Sequence, residues 1–278
     1  MPEIMPTIPA PRRTGDRIAI GGNYQHRAIT AGPAPQRFWH EAKLREAMRW
    51  LDPQPGDVML DVGCGSGVLA DRLAAVEGTR VIGVDGNAAA IEFASAQYQR
   101  PNLEFRHGLV DELGFAPGSI SKIAFLEVIE HIPTPQGLAV LQSFHKLLRP
   151  GGRAVISTPN IRSLWPVIEW AMDAFRLAPH MAEDQHVAYY HRGSLARLGE
   201  AAGFRVAGCR TINFAAPWLA WINWRLAERV HARETARNQP LGSIVVMAFE
   251  KPVAATADRG PSAVGPASSL ATQNGTPK

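Results

Sequence analysis

Three glycines at alternate positions, Gly63, Gly65 and Gly67, constrain the fold of this chain more than any other feature of its sequence. They follow the apolar run Val58 to Val62, typical of a short buried strand, and precede Val68 to Leu73, typical of a helix. A strand that ends in such a loop and continues into a helix presents backbone N–H groups to a ligand. Glycine is needed there because a Cβ would hold the ligand away and because tight turns often require a positive φ. The stretch therefore predicts a nucleotide-type ligand at the end of the first strand of an α/β fold.

The composition is that of an ordinary globular protein without a disulfide framework. Its 278 residues are 46% hydrophobic and 19% charged, enough for one full α/β domain with additions. The net charge of +4 and the pI near 9.3 permit an anionic partner but do not require one. The two cysteines, Cys64 and Cys209, stand far apart, and the first residues lack the apolar core of a secretory signal. Because no run of about 18 apolar residues occurs, we expect no membrane span and a cytoplasmic location.

Strands alternate with helices through the middle of the chain. After the first strand, strands are predicted at 80–85, 103–105, 121–126 and 153–157, and helices at 38–51, 88–98 and from a cap at Thr134 to 148. This alternation predicts a doubly wound, mostly parallel sheet. The domain spans 23–252, between segments 1–22 and 253–278 whose biased composition predicts disorder.

The pattern changes after Pro159. Helical insertions are predicted at about 162–191, with one helix at 162–178, and at about 214–238, with one helix at 216–237. The helix Ser194 to Ala202 and the strand Phe204 to Ile212 lie between them. The last strand, Gly242 to Glu250, follows a long connection and fits an antiparallel position in the sheet.

The glycine spacing and Asp61 discriminate between a dinucleotide and S-adenosylmethionine as the ligand of the loop, and Asp85 indicates a ribose. Dinucleotide loops have the spacing G-x-G-x-x-G, whereas here the glycines alternate. Asp61, two residues before Gly63, would repel a pyrophosphate but attract the ammonium and sulfonium groups of S-adenosylmethionine. Asp85 ends the second predicted strand, 18 residues beyond Gly67, where a carboxylate can accept both hydroxyls of an adenosine ribose. The alternative is that Asp85 caps the next helix through Asp85-Gly86-Asn87.

Four motifs occur in a fixed order, namely Leu60-Asp61-Val62-Gly63-Cys64-Gly65-Ser66-Gly67, Gly83-Val84-Asp85, Glu127-Val128-Ile129-Glu130-His131-Ile132 and Leu147-Leu148-Arg149-Pro150-Gly151-Gly152. In this order they resemble class I S-adenosylmethionine-dependent methyltransferases, especially the ubiquinone-biosynthesis O-methyltransferases, over about residues 36–252. The resemblance implies a Rossmann-like seven-stranded sheet with an antiparallel last strand, an inserted helical cap and S-adenosylmethionine as cofactor. It assigns cofactor contacts to Asp61, Gly63, Cys64, Gly65, Ser66, Gly67, Asp85, Gly86, Leu109, Val110 and Glu127.

Leu109 departs from the family pattern. The turn after the third strand usually offers an acidic residue to the adenine amino group, whereas Gly108-Leu109-Val110-Asp111 places a leucine there. We therefore expect adenine to be held by apolar contact and backbone groups, with Asp111 as a displaced candidate.

Glu127, Glu130 and His131 stand at i, i+3 and i+4, so that one helical turn would bring all three to one face. Two carboxylates and an imidazole can hold a divalent cation such as Mg²⁺. The other interpretation is that His131, oriented by Glu130, is a catalytic general base for a substrate hydroxyl. The segment resembles metal-binding ones in ubiquinone-biosynthesis and small-RNA 2′-O-methyltransferases, and the resemblance adds His186 as a fourth ligand. Many family members carry a similar segment without a metal, and in them the first glutamate serves the cofactor pocket.

The insertions bear on the acceptor. They carry many large apolar residues, namely Trp165, Ile168, Met172, Phe175, Trp218, Trp221, Ile222 and Leu226, and arginines follow the tryptophans at 225, 229, 233 and 237. Tryptophan with arginine suits a lipid–water interface, so 216–237 is a candidate peripheral membrane contact. The favoured interpretation is a cap over the site, which implies a small hydrophobic acceptor. Asn160, at the end of the fifth strand, is a candidate substrate contact, or else simply turns the chain.

The predicted function is methyl transfer from S-adenosylmethionine to an oxygen of a small hydrophobic or lipid-like acceptor. An RNA 2′-O-methyltransferase is the main alternative, and it is disfavoured because the basic cluster follows Trp224 and no stacking platform is evident. A nicotinamide-dependent dehydrogenase is disfavoured by Asp61 and by the glycine spacing. A non-catalytic binding protein of this fold is disfavoured by the intact cofactor motifs.

Overall fold

The computed structural model describes residues 21–163 and 186–253, which form eight α-helices and seven β-strands. The strands are β1 (Val58–Val62), β2 (Arg80–Asp85), β3 (Leu103–His107), β4 (Ile120–Leu126), β5 (Leu148–Pro159), β6 (Arg205–Ile212) and β7 (Ile244–Glu250). The helices are α1 (Tyr24–Thr30), α2 (Ala34–Leu51), α3 (Val68–Ala74), α4 (Ala88–Gln97), α5 (Thr134–Leu147), α6 (Arg192–Ala201), α7 (Ala216–Leu219) and α8 (Trp224–Ala236). Single 3₁₀ turns at Val110–Glu112 and Ile129–His131 follow β3 and β4.

The strands make one sheet in the order β3-β2-β1-β4-β5-β7-β6. β1 to β5 pair in parallel, whereas β7 runs antiparallel to both of its neighbours. β6 therefore points the same way as β1 to β5, and these six strands end at one side of the sheet, here called the carboxyl edge. The prediction of a doubly wound, seven-stranded sheet with a reversed last strand is confirmed. Ligands of open α/β sheets bind at the carboxyl edge.

Side chains alternate along the strands and build a core on each face of the sheet. On one face, which α5 and α6 cover, Phe125 packs edge-on against Phe144 with ring centroids 5.1 Å apart. On the other face, which α2, α3, α7 and α8 cover, Phe38 packs against Trp224 at the same centroid distance. Burial on both faces explains why the strand segments read as nearly continuous apolar runs.

The amino-terminal helices extend beyond the predicted helix 38–51. α1 was not expected from the sequence, and α2 begins at Ala34 rather than Phe38. Pro35 lies in the first turn of α2, where a missing N–H has no intrahelical partner to lose. The predicted capping by Thr134 is wrong, because Pro133 occupies the N-cap position and Thr134 is already helical.

The insertions also differ from the single helices predicted. Residues 214–238 contain two helices, because the Asn223 side chain accepts the Leu226 N–H at 2.9 Å and caps α8 after a turn. Residues 186–191 are not helical, and Tyr190 bridges to Asn160 beside the sheet. The predicted helix 162–178 lies outside the described residues from 164 onward, as do Trp165, Ile168, Met172 and Phe175. The disorder predicted for 1–22 and 253–278 also falls outside them, except at 21, 22 and 253.

Within 21–163 and 186–253, every helix is too short or too polar to cross a membrane. This agrees with the lack of a long apolar run in the sequence.

Candidate active site

The glycine loop leaves β1 at the carboxyl edge and is tied to β2. The N–H groups of Gly63 and Cys64 both donate to the carbonyl oxygen of Val84, at 2.7 and 3.1 Å. Gly63 and Gly67 have φ angles of 71° and 79°, and a Cβ on Gly63 would lie 2.3 Å from Cγ2 of Val128. Backbone conformation and a close neighbour both demand glycine there.

Asp85 joins the loop to the turn that begins α4. Its Oδ2 accepts the N–H of Gly65 and its Oδ1 accepts the N–H of Asn87, both at 2.8 Å. Asn87 caps α4 by accepting the N–H of Ala89 at 3.0 Å, so the alternative role of Asp85 as the helix cap is wrong. Gly86 lies in the turn between them. Carboxylate oxygens have further lone pairs, so Asp85 can still accept hydroxyl groups of a ribose while both backbone bonds stay in place.

Asp61 is buried near the end of β1. Its carboxylate accepts the N–H of Ala70 in α3, while Oδ2 meets no hydrogen-bond donor in the described parts of the chain. Burial, and next the charge of Asp85, raise the pKa of Asp61 to about 7, although Lys43 acts in the opposite direction. A buried carboxylate oxygen that lacks a donor fits the ammonium group of a ligand.

The remaining predicted cofactor residues near the loop differ in exposure. Cys64 and Val110 are buried, and burial together with Asp61 raises the pKa of the Cys64 thiol. Leu109 is 38% exposed, and its N–H donates to Oε2 of Glu112 at 3.4 Å. Adenine contact through Leu109 and Val110 stays a prediction.

The sequence interpretation missed α1, which lies across the glycine loop. The backbone N–H of His26 donates to Oγ of the buried Ser66 at 2.9 Å. The Nδ1 atom of His26 lies 2.9 Å from the hydroxyl oxygen of Tyr98. The His26 ring also packs edge-on against Phe93 of α4 at 5.3 Å. These contacts hold α1 against the glycine loop and against α4. A short helix without clear periodicity gives no strong sequence signal.

Glu127 directly follows β4 and is held in an unusual conformation. Its φ is 56°, in the left-handed region, and its N–H donates to the carbonyl of Ser157 at 3.0 Å. The Ser157 hydroxyl donates to Glu127 Oε1 at 3.0 Å, and the buried Lys43 lies 3.7 Å from Oε2. Such strain persists where neighbouring contacts fix the backbone, often at functional sites.

Lys43 is a second residue that sequence reasoning missed. It extends from α2 beneath the carboxyl edge, and its charge acts on Asp61 and Glu130 as well as Glu127. Burial and Lys43 lower the pKa of the neighbouring His40 to about 3, so this imidazole is neutral. The available sequence signal is the position of a lysine between two buried apolar residues of a helix.

Glu130, His131 and His186 converge at the same edge. One ligand atom from each lies within 4.8 Å of those of the other two, and the two imidazole centroids are 5.0 Å apart. The Glu130 carbonyl accepts the N–H groups of Val187 and Ala188 at 2.9 and 3.0 Å, which brings His186 to the cluster. Burial, and next Glu127, raise the pKa of Glu130 well above its ordinary value.

The predicted single face of Glu127, Glu130 and His131 is wrong. A 3₁₀ turn begins only at Ile129, so the i, i+3, i+4 relation of an α-helix does not hold. Glu127 is directed to Lys43 and Ser157 and is not part of the cluster of Glu130, His131 and His186.

Asn160 is a structural residue rather than an open substrate contact. Its buried side-chain amide donates to the carbonyl oxygens of Pro240 and Gly242 at 3.1 and 2.9 Å. Its Oδ1 accepts the N–H of Arg162 at 3.2 Å. The prediction that Asn160 contacts substrate is therefore replaced by the simpler one, that it fixes the turn after β5.

Comparison with known proteins identifies the family. Residues 34–207, well over half of the chain, match the family described as a methyltransferase domain. The chain belongs to the class I S-adenosylmethionine-dependent methyltransferases. This agrees with the sheet order and with the glycine loop at the carboxyl edge.

Curated relatives of this methyltransferase are distant. A probable S-adenosylmethionine-dependent methyltransferase of Mycolicibacterium smegmatis is 31% identical over 175 residues, which cover 63% of this chain and 62% of that protein. A ubiquinone biosynthesis O-methyltransferase of Thiobacillus denitrificans is 30% identical over 164 residues, covering 56% of this chain and 69% of that protein. The chain thus spans just under two thirds of the length of the first of these relatives.

Solved structures share the fold of the methyltransferase. A Haloferax volcanii protein, solved in complex with the Trm112 methyltransferase activator, superposes with a TM-score of 0.58 at 18% identity, over 84% of this chain and all of that one. A geranyl diphosphate methyltransferase in complex with S-adenosylmethionine gives 0.56 at 18% identity, over 84% of this chain and 92% of that one. At these identities the likeness concerns the fold alone.

The methyltransferase has residues that fit S-adenosylmethionine. Asp85 offers lone pairs to the ribose hydroxyls, and Asp61 offers a buried oxygen to the ammonium group. At Gly65, whose N–H bonds Asp85, a Cβ would meet only Gln25 Oε1, at 3.9 Å, so the loop is open there. A dinucleotide would instead bring a pyrophosphate toward the carboxylate of Asp61, an unfavourable pairing of like charges.

Proposed function

We propose that this methyltransferase transfers the methyl group of S-adenosylmethionine to a hydroxyl oxygen of a small hydrophobic or lipid-like acceptor. The observation that carries the proposal is the convergence of His131, His186 and the buried Glu130 at the carboxyl edge. An imidazole beside a carboxylate is suited to receive the proton that an oxygen acceptor loses. The O-methyltransferase named among the relatives supports the same reaction class.

Exposed apolar side chains near the cluster support an apolar acceptor. Val187 is 48% exposed and Tyr189 is 57% exposed, both within three residues of His186. Ile161 is 42% exposed, and its N–H donates to the carbonyl of Tyr190 at 3.0 Å, which brings it to the same segment. Side chains of this kind contact apolar ligands at the rim of a pocket.

In the proposed reaction, different residues bind the cofactor and accept the proton. S-adenosylmethionine supplies an electrophilic methyl group on a sulfonium that departs as a neutral thioether. Asp61 and Asp85 hold the donor, and most of the rate enhancement comes from positioning the two reactants in line. The imidazole of His131 takes the hydroxyl proton as the acceptor oxygen forms its bond to the methyl carbon. The charge of the imidazolium favours the ionised form of Glu130, against the burial that raises its pKa.

A divalent cation bound at the cluster is the more specific form of this proposal. Glu130, His131 and His186 are the residues that would hold it. This is the alternative to the base role of His131, because an imidazole nitrogen that binds a metal cannot also accept a proton. The cation would instead lower the pKa of the acceptor hydroxyl. Two imidazoles with one carboxylate favour zinc, manganese or iron over Mg²⁺, which prefers oxygen ligands. The expected Mg²⁺ is therefore replaced by a transition metal in the proposal. Removal of metal with EDTA should abolish activity and added Mn²⁺ or Zn²⁺ should restore it; unchanged activity after EDTA would dismiss the cation and leave the base role of His131.

Label transfer from S-adenosylmethionine tests the proposal. The acceptors would be prenylated phenols and catechols, simple amines, and single-stranded RNA. His131→Ala should lower kcat about 10²- to 10⁴-fold, the usual contribution of a general base, while the affinity for S-adenosylhomocysteine stays unchanged. His145→Gln is the matched control, because His145 packs against Phe204 in the last turn of α5. Label in RNA or amines rather than phenols, or full activity of His131→Ala, would contradict the proposal.

A further inference from the structure

The turn between α7 and α8 exposes large apolar side chains. Trp218 is 51% exposed, Trp221 73%, Ile222 80% and Leu226 41%. These four residues are called the α7–α8 patch below. Large apolar side chains that cluster on a surface usually mark a contact with another molecule.

The exposure follows from how α8 is anchored. Trp224, three residues after Trp221, turns inward, packs on Phe38 and donates from its Nε1 to Oε1 of Glu228 at 3.1 Å. Ala227 is fully buried against the second core. Since these contacts fix the rotation of α8, Leu226 lies on its outside, and Trp221 lies in the exposed turn before the helix.

The outward face of α8 is basic. Arg225, Arg229, Arg233 and Arg237 are all exposed and follow one another at intervals of four residues along one side of the helix. The two acidic residues of α8 do not offset them there. Glu228 pairs with Arg45 of α2 at 2.7 Å, and Glu234 accepts the N–H of Ala215 at 2.9 Å. An apolar tip thus continues into a row of positive charge.

The patch belongs to the carboxyl edge. Ile212, the last residue of β6, pairs with Ile244, which in turn pairs with Pro159 at the end of β5. α7 begins four residues after Ile212, so the patch projects from the edge that carries Glu130 and the glycine loop.

We infer that the α7–α8 patch docks the methyltransferase on an anionic lipid bilayer. Trp218, Trp221 and Ile222 enter the interface between headgroups and acyl chains, and Arg225 and Arg229 contact lipid phosphates. Tryptophan favours this depth because its ring is apolar and its N–H is polar. The carboxyl edge then faces the membrane. This inference does not depend on the identity of the methyl acceptor.

Flotation of the full-length chain with vesicles tests the inference. Vesicles of phosphatidylcholine with added phosphatidylglycerol should retain the protein, and pure phosphatidylcholine should retain much less. Added salt should weaken the binding because it screens the arginines. Trp218→Ser/Trp221→Ser should lower the partition coefficient at least tenfold. Arg225→Gln/Arg229→Gln should lower it about 30-fold on the anionic vesicles, the expected effect of two near-surface charges.

Matched controls separate docking from a general loss of charge or apolar surface. Arg80→Gln/Arg197→Gln removes two exposed arginines elsewhere, and Val253→Ser removes an apolar side chain, 67% exposed, at the opposite end of the sheet. Both should bind vesicles as the unaltered protein does, and all variants should keep their affinity for S-adenosylhomocysteine.

Three outcomes would overturn the inference. The unaltered protein could fail to bind the anionic vesicles, or the patch variants could bind as well as it does. Sedimentation could reveal a dimer that Trp221→Ser dissociates while vesicle binding is absent, in which case a second copy of the chain occupies the patch.

Discussion

The carboxyl group of Asp61 makes the stability of the cofactor-free protein depend on pH. Its ordinary pKa is 3.8, and burial with the nearby Asp85 raises it to about 7, against the opposing charge of Lys43. Between these values the folded protein holds a proton that the unfolded chain has lost. The free energy of unfolding therefore falls as the pH rises from about 4 to about 7. The cationic donor reverses this effect, because it favours the ionised form.

Asp61→Asn should separate stability from binding. At pH 8 the cofactor-free variant should be more stable than the unaltered protein by up to about 4 kcal/mol, the equivalent of about three pKa units. It should also bind S-adenosylhomocysteine far more weakly, because the ammonium group loses a charged partner. Urea unfolding at pH 5 and pH 8, with calorimetry for binding, measures both effects. Equal stability of the two proteins at pH 8, with equal affinity, would show that Asp61 is not the buried acid described here.

At the scale of residues, local spacing predicted that the glycine loop and Asp85 lie together, but it did not predict the cluster beyond β4. Gly63 and Asp85 occur at the ends of adjacent strands, so their proximity follows from the predicted sheet. His186 lies in a segment distant along the chain. Backbone hydrogen bonds of that segment to Glu130 bring it to the cluster, and no periodic pattern in the sequence indicates such bonds. The role of Lys43 required knowing which face of α2 is buried.

Among the elements, α1 is the one in contact with the glycine loop. His26 ties α1 to Ser66 in the loop and to Tyr98 at the end of α4. We therefore expect weaker ties to shorten the residence time of a cofactor bound at the loop.

His26→Ala should increase the dissociation rate of S-adenosylhomocysteine about fivefold, since one net hydrogen bond contributes about 1 kcal/mol. Tyr98→Phe, which removes only the hydroxyl, should have a similar effect. Arg27→Ala is the control, because Arg27 is the exposed neighbour of His26 in the same helix. Stopped-flow displacement measures the rates, and identical rates for His26→Ala and Arg27→Ala would refute a restraining role of α1.

The elements that sequence reasoning missed are those stabilised by tertiary contacts. α1 has only seven residues and depends on its contacts with the loop and α4. The break between α7 and α8 had a local signal, the capping residue Asn223, but the regular spacing of the tryptophans suggested one continuous helix. Strands and long helices were predictable because their apolar periodicity extends over many residues.

At the scale of the whole molecule, ligand binding and folding are linked. S-adenosylhomocysteine at about 100 times its Kd should add about 2.7 kcal/mol to the free energy of unfolding. For a domain of this size the melting temperature should rise by about 5–10 °C. NAD should leave it unchanged, because Asp61 disfavours a pyrophosphate and the glycine spacing is not that of a dinucleotide loop. A thermal shift with NAD and none with S-adenosylhomocysteine would contradict the assignment of the loop.

The topology was the most predictable property of the molecule. A parallel order follows from the alternation of strands and helices, and the reversed last strand from the long connection before it. What the sequence could not reveal is which insertion surface is left exposed. That depends on Trp224 being the tryptophan that packs on Phe38.

The antiparallel direction of β7 also determines where a label or tether can be attached to the protein. β7 ends beside the start of β5, where the N–H of Gly151 donates to the carbonyl of Lys251 at 2.9 Å, so Val253 leaves on the side opposite the carboxyl edge. A tether or fluorophore attached after Val253 would therefore not obstruct the binding of the cofactor or the acceptor at the carboxyl edge. Immobilisation for binding measurements therefore belongs at the carboxyl-terminal side.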